Sequence, residues 1–117
     1  MIKQVVIITR LPHLGRAEFL DHWRNTHAPL VQSVSDVLGI RRYVQLSSFP
    51  IGLRLGSSEP MPWDGIAEVW FNNLETITIS HSEPAARDAI KKLKADEQQF
   101  IDSKRSLVLW GEEAPIF

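Results

Sequence analysis

Apolar positions along the chain fall into two rhythms, period two and period 3.6, and these divide it into strands and helices. Ile2–Arg10 reads as a strand whose middle is apolar on both faces, with Val6 and Ile8 on one and Val5 and Ile7 on the other. A strand of that kind sits between two layers. Leu11-Pro12-His13-Leu14-Gly15 is a turn, and Arg16 to about Val37 reads as a helix. With Phe19 at 0° and about 100° per residue, Trp23 falls near 40°, Leu30 near 20°, Val34 near 60° and Leu20 near 100°, one apolar stripe. Pro29 lies inside the stripe. It removes a backbone donor and pushes Ala28 away from helical angles, so a kink or break is expected near residues 26–29.

Ile40–Ser48 is a second strand, with Ile40, Val44 and Leu46 on one side and Arg41, Tyr43 and Gln45 on the other. Residues 49–64 hold Pro50, Gly52, Gly56, Pro60 and Pro62 and read as a long loop, of which Gly52–Trp63 is expected to be a mobile rim of the cavity. Gly65–Phe71 is a third strand, alternating Ala67, Val69 and Phe71 with Ile66, Glu68 and Trp70. Asn72-Asn73 ends it and can cap a short helix from Leu74. Ser82-Glu83-Pro84 opens a longer helix to about Asp102, with Ala86, Ala89, Ile90, Leu93, Phe100 and Ile101 as its apolar set. Ser106–Glu112 is the fourth strand.

The order βαββαβ predicts an α+β, ferredoxin-like fold, a four-stranded antiparallel sheet with both helices on one face. The other face would carry Ile66, Trp70 and half of the first strand in water. A patch of that size is expected to meet a partner, most simply a second copy, sheet against sheet, closing a barrel.

Composition narrows the chemistry. At 117 residues the chain has the size of one domain, over 1–117. Thirteen Lys and Arg against fourteen Asp and Glu give a net charge of −1, without the basic excess of a nucleic-acid binder. The absence of cysteine excludes a disulfide scaffold, a thiolate metal site and a cysteine nucleophile. No glycine-rich phosphate loop follows a strand, so no nucleotide cofactor is expected. The apolar run Val5–Ile8 is too short for a signal peptide or a membrane span, and the expected compartment is the cytoplasm.

Several blocks resemble the EthD family: Phe19-Leu20-Asp21-His22-Trp23-Arg24-Asn25-Thr26-His27-Ala28-Pro29-Leu30-Val31, Arg42-Tyr43-Val44-Gln45, Asp64-Gly65-Ile66-Ala67-Glu68-Val69-Trp70-Phe71 and Asp96-Glu97-Gln98-Gln99-Phe100-Ile101-Asp102. The resemblance covers nearly the whole chain and implies a dimeric α+β barrel. Relatives in the family include fungal polyketide dehydratases and a muconolactone-type isomerase. The wider superfamily holds cofactor-free quinone monooxygenases and heme-handling enzymes. The expected function is cofactor-independent acid/base chemistry (dehydration, isomerisation or ring rearrangement) on a small cyclic or polyketide-like carbonyl compound. A cofactor-free monooxygenase and a non-catalytic small-ligand binder of an oxidative pathway are the alternatives.

His27 falls inside the apolar stripe, at about 80°. It is either a core histidine satisfied by a carbonyl that Pro29 leaves free, or a general acid/base facing a cavity, with a metal ligand as a third reading. His22 lies about 140° from His27 on a regular helix, so the two cannot share one ion there. Glu68, flanked by Ile66 and Trp70, is either paired with Arg41 or Arg42 or orients a substrate. Tyr43 is placed on the same lumen face as Glu68, as a donor to a substrate oxygen or an interface anchor. Trp23, Trp63, Ile66 and Trp70 are the candidate substrate contacts, with wall and loop packing as the alternative for Trp63 and Trp70. No metal site is expected. Asp96 and Glu97 read as capping or bridging groups at a helix end.

Overall fold

The protein is seen as a computed structural model that describes residues 1–48 and 62–117. Most of the loop expected over 49–64, and most of its Gly52–Trp63 rim, lies outside the described residues. The elements run β1 (Ile2–Ile8), α1 (Arg16–His22), a π-helical turn (Trp23–His27), α2 (Ala28–Leu38), β2 (Ile40–Ser47), β3 (Gly65–Phe71), α3 (Leu74–Ser82), α4 (Pro84–Glu97) and β4 (Leu107–Glu112). The strands lie in the order β2-β3-β1-β4, with every neighbouring pair antiparallel. This is the expected α+β, ferredoxin-like sheet, with the helices packed on one face.

The core forms where that face meets α1. Ile8 of β1 and Ala67 of β3 pack against Phe19, Trp23 and Phe100, and Val6, Leu20 and Tyr43 close round them. Trp23 can lie flat on β3 because position 65 is glycine: a Cβ there would come within 2.7 Å of the indole. A second cluster joins Leu38 of α2 to Ala86 and Ala89 of α4. Gly39 ends α2 with φ of 70°, the left-handed geometry that glycine adopts without a Cβ clash. Asn73 caps α3, its side-chain oxygen accepting from the Thr76 N–H at 2.9 Å.

Two strand and helix ends differ from the sequence reading by two residues or more. β1 stops at Ile8 rather than Arg10, and α4 stops at Glu97 rather than near Asp102. One cause accounts for both. The chain after α4 folds back to serve the end of β1: Leu11 N–H donates to Phe100 O at 3.0 Å, and Asp102 N–H to Thr9 O at 2.9 Å. A helix continued to 102 would spend the Asp102 N–H on the carbonyl of Gln98.

The sheet also corrects the assignment of faces. Tyr43 pairs directly with Val69, and Val44 with Glu68, and directly paired residues share a face. Tyr43 therefore belongs with Ala67 and Val69 beneath the helices, not with Glu68. Glu68, Ile66 and Trp70 occupy the opposite, open face with Val5 and Ile7. A bulge between Ile40 and Arg42 inserts a residue into β2 and breaks its alternation. Ile40 consequently joins Tyr43 on the helix side, although parity placed the two apart.

Candidate active site

The site begins with the irregular turn in the first long helix. Pro29 has no N–H to give to the carbonyls one turn back, and the helix widens so that Ala28 N–H donates to Trp23 O, five residues away. Arg24, Asn25 and Thr26 swell toward solvent, while Trp23 and His27 on either side of them stay buried. The wider turn also brings His22 and His27, five apart, to one side, which a regular α-helix would not do. Both rings pack on Phe100, with centroids 4.7 and 5.0 Å away.

Asp96, near the end of α4, meets both imidazoles. His22 Nε2 lies 2.9 Å from Asp96 Oδ1, and His27 Nδ1 lies 2.7 Å from Oδ2. Neither residue pairs with the free backbone carbonyl that sequence reasoning offered His27. A carboxylate only accepts, so the His27 proton sits on Nδ1 and the neutral ring keeps its lone pair on Nε2. His27 is 5% exposed. Burial holds its pKa below the ordinary 6.5, against the pull of Asp96 in the other direction.

His27 lines a cavity of about 460 Å³ between helices and sheet, within the usual range for small-molecule sites. Its walls are mostly aliphatic and aromatic, with Val6, Ile8, Val69 and Trp23 among them. Tyr43 and Glu97 line it too. The Tyr43 oxygen accepts from Gln45 Nε2 at 3.0 Å, which leaves its own proton to donate to a ligand. Burial raises that hydroxyl above its ordinary value of 10.0. Glu97 has no hydrogen-bond or ion-pair partner among the described residues. Burial, with the neighbouring charge of Asp96, pushes its carboxyl above 4.5, while Lys94 pulls the other way.

Of the residues singled out in the sequence, His27, Tyr43 and Trp23 thus meet in one cavity. Glu68, Ile66 and Trp70 do not. Glu68 accepts from Lys3 Nζ at 3.0 Å rather than from Arg41 or Arg42, and this bond raises the Lys3 pKa. Trp70 lies under two cations, 5.0 Å from Lys3 Nζ and 4.8 Å from the Arg42 guanidinium, and donates to Glu113. Trp63 is half-buried and does not line the cavity.

Asp96 and Glu97, read from the sequence as capping or bridging groups, belong to the site, where that reading did not place them. The signal was present, since Glu97 follows Leu93 by four positions and Ile90 by seven, which places a carboxylate on the apolar stripe of α4. Among the described residues no cluster of three or more His, Asp or Glu is arranged to hold a metal ion. No helix among them is long and apolar enough to cross a membrane.

Comparison with known proteins bears on family and fold. A conidial pigment biosynthesis dehydratase EthD from Metarhizium robertsii is 28% identical over 109 residues, covering 87% of this chain and 75% of the relative. An EthD family protein from Bacillus halodurans has the same fold, with a TM-score of 0.67, 20% identity and coverage of 97% of this chain and all of that one. A dimeric, ferredoxin-like protein of unknown function from Bacteroides fragilis matches at a TM-score of 0.60, with 17% identity over 96% of this chain and 95% of the other. The fold is shared more distantly by SnoaB, a cofactor-independent oxygenase from Streptomyces nogalater (TM-score 0.53, 14% identity, 97% and 93% covered). The EthD domain model matches residues 11–104, which include the π-helical turn, both histidines and the acidic pair on α4. The chain therefore belongs to the EthD domain family.

Proposed function

We propose that the protein is a cofactor-independent enzyme that moves protons on a small cyclic or polyketide-like carbonyl compound, and that the reaction is a dehydration. The observation that carries this reading is His27: a buried neutral imidazole, oriented by Asp96, in an apolar cavity that also holds Tyr43 and Glu97, which has no partner among the described residues. The name of the Metarhizium relative supports dehydration over other proton transfers.

In a β-hydroxy ketone, His27 Nε2 takes the proton from the carbon between the carbonyl and the carbinol. The Tyr43 hydroxyl donates to the carbonyl oxygen as negative charge gathers there. The C–O bond then breaks, and Glu97 gives its proton to the departing hydroxide, which leaves as water. The product is the conjugated enone, and the proton on His27 returns to Glu97 through solvent. Asp96 touches no reacting atom; it fixes the tautomer and orientation of the base.

The test uses 3-hydroxy-1-tetralone, whose dehydration gives 1-naphthol and is followed by absorbance. The wild-type protein should accelerate this, and His27→Asn should lose about 10²–10⁴-fold with the fold retained. A variant that melts early, by roughly 1–3 kcal/mol, yet turns over normally per folded molecule would return His27 to a packing role. The same first deprotonation would open a cofactor-free oxygenation, the chemistry of the Streptomyces neighbour, and oxygen uptake distinguishes that outcome. Binding of the probe without turnover would favour a non-catalytic binder.

The open face of the sheet is proposed to dock a second copy of the chain. It presents Leu46, Leu107 and Leu109 at 57, 55 and 66% exposure, beside Ile7 and Ile66. The dimeric Bacteroides neighbour supports this assembly.

A further inference from the structure

His22 does not line the cavity. It stands at the other oxygen of Asp96, 2.9 Å from Oδ1, while His27 lies 2.7 Å from Oδ2. The two rings therefore share one carboxylate as well as the Phe100 ring, but not their surroundings. The His22 side chain keeps 28% of its surface exposed, against 6% for that of His27, so solvent protons reach the outer ring directly. With both imidazoles neutral, each gives an N–H to Asp96, which places the hydrogen of His22 on Nε2. Asp96 then has no vacant nitrogen on that ring to which it could pass a proton. The link between the rings is one of charge, not of proton relay. Other ionisable groups near the pair are engaged elsewhere or face the cavity. On the first helix, Glu18 accepts from Gly15 N–H at 3.1 Å, Asp21 from Asn25 at 2.8 Å, and Arg24 donates to Ser47 at 2.6 Å. From α4, β2 and α3, Glu97, Lys94, Tyr43 and His81 line the cavity with His27.

We infer that His22 is a positioning residue for the base: its neutral ring leaves the charge of Asp96 to His27, and its protonated ring takes that charge away. With His22 neutral, Asp96 supports the His27 imidazolium as it forms during the reaction. With His22 protonated, that imidazolium is less stable, and His27 stays free to act as a base down to lower pH. Burial lowers the His27 pKa most, Asp96 raises it, and a charge on His22 lowers it again. For its effect on rate this rests on the reading of His27 as the base; for its effect on titration it rests on the shared carboxylate, and the experiment separates the two.

The imidazole resonances of the full chain are followed by NMR between about pH 4 and 8. His22→Gln keeps an N–H for Asp96 and removes the titrating charge. The His27 midpoint should rise by about half a pH unit or more, and the acid limb of tetralone dehydration should move up with it. In the Asp96→Asn background the same substitution should move the midpoint by less than half as much. In the wild type, the His27 resonance should bend over the pH range in which the His22 resonance moves, a reading that needs no variant to fold. A His27 midpoint unchanged by His22→Gln, an equal rise with Asp96 replaced, or a wild-type His27 curve indifferent to His22 would overturn the positioning role. A midpoint that rises while no variant turns over the tetralone supports the link between the rings and counts against His27 as the base.

Discussion

Asp96 and Glu97 are neighbours in sequence with opposite duties. Asp96 spends both oxygens on imidazoles and holds the His27 ring in place; Glu97 sets its carboxyl against an apolar wall with no partner among the described residues. The second arrangement costs stability. The pKa of Glu97 is raised above 4.5 by folding, so the unfolded chain gives up its proton first as pH rises, and stability is lost from that point up to the folded value. Glu97→Gln should therefore melt higher than the wild type at pH 8 and at the same temperature near pH 4, while dehydration is lost. Matching melting curves at every pH would show that Glu97 bears no burial cost and weaken its role as the acid. His27 has the opposite sign of shift. Its pKa falls below 6.5 on folding, so its contribution is present above that pH and declines as acid protonates the unfolded chain first.

The π-helical turn is the element on which the site depends. It carries one residue more than an α-helical turn, and the surplus is pushed outward as Arg24, Asn25 and Thr26. Removing Asn25, whose side chain among the described residues bonds only to Asp21, should let the turn close to α-helical spacing. His22 and His27 would then stand four apart on a regular helix, again on one side, and α2 would keep its register. The deletion should leave melting within about 1 kcal/mol, whereas deleting Ser33 from α2 turns the following residues by about 100° and should unfold the protein. Circular dichroism melts of the two deletions decide the matter. Elements of this kind mark how far the sequence could be read. Strand and helix periods led to βαββαβ, and Pro29 marked where the first helix would fail, because both are local effects. What the failure brings together, His22 and His27 on Asp96 of α4, is a long-range contact that no local pattern reveals. Tyr43 was set on the wrong face because strict alternation does not register which residues pair, and β2 carries a bulge besides. The bond from Asp102 to Thr9 that ends α4 early is likewise a long-range contact.

At the scale of the molecule, the sheet is a partition. Helices, cavity, His27 and Glu97 lie on one side; Leu46, Leu107, Leu109 and the Lys3–Glu68 pair lie on the other. If a second copy covers the open face, light scattering at micromolar concentration should give twice the 13.3 kDa of the chain. Leu109→Lys should bring that mass down without altering ligand affinity, because the residue faces away from the cavity. A wild-type mass of one chain would remove the dimer. The partition has a further consequence for how such a protein can diverge. Successive residues of β3 answer to different demands, Ala67 and Val69 to what fits inside, Ile66 and Glu68 to what docks outside. Lineages can therefore exchange substrates by altering every second residue and exchange partners by altering the others, with neither history constraining the other.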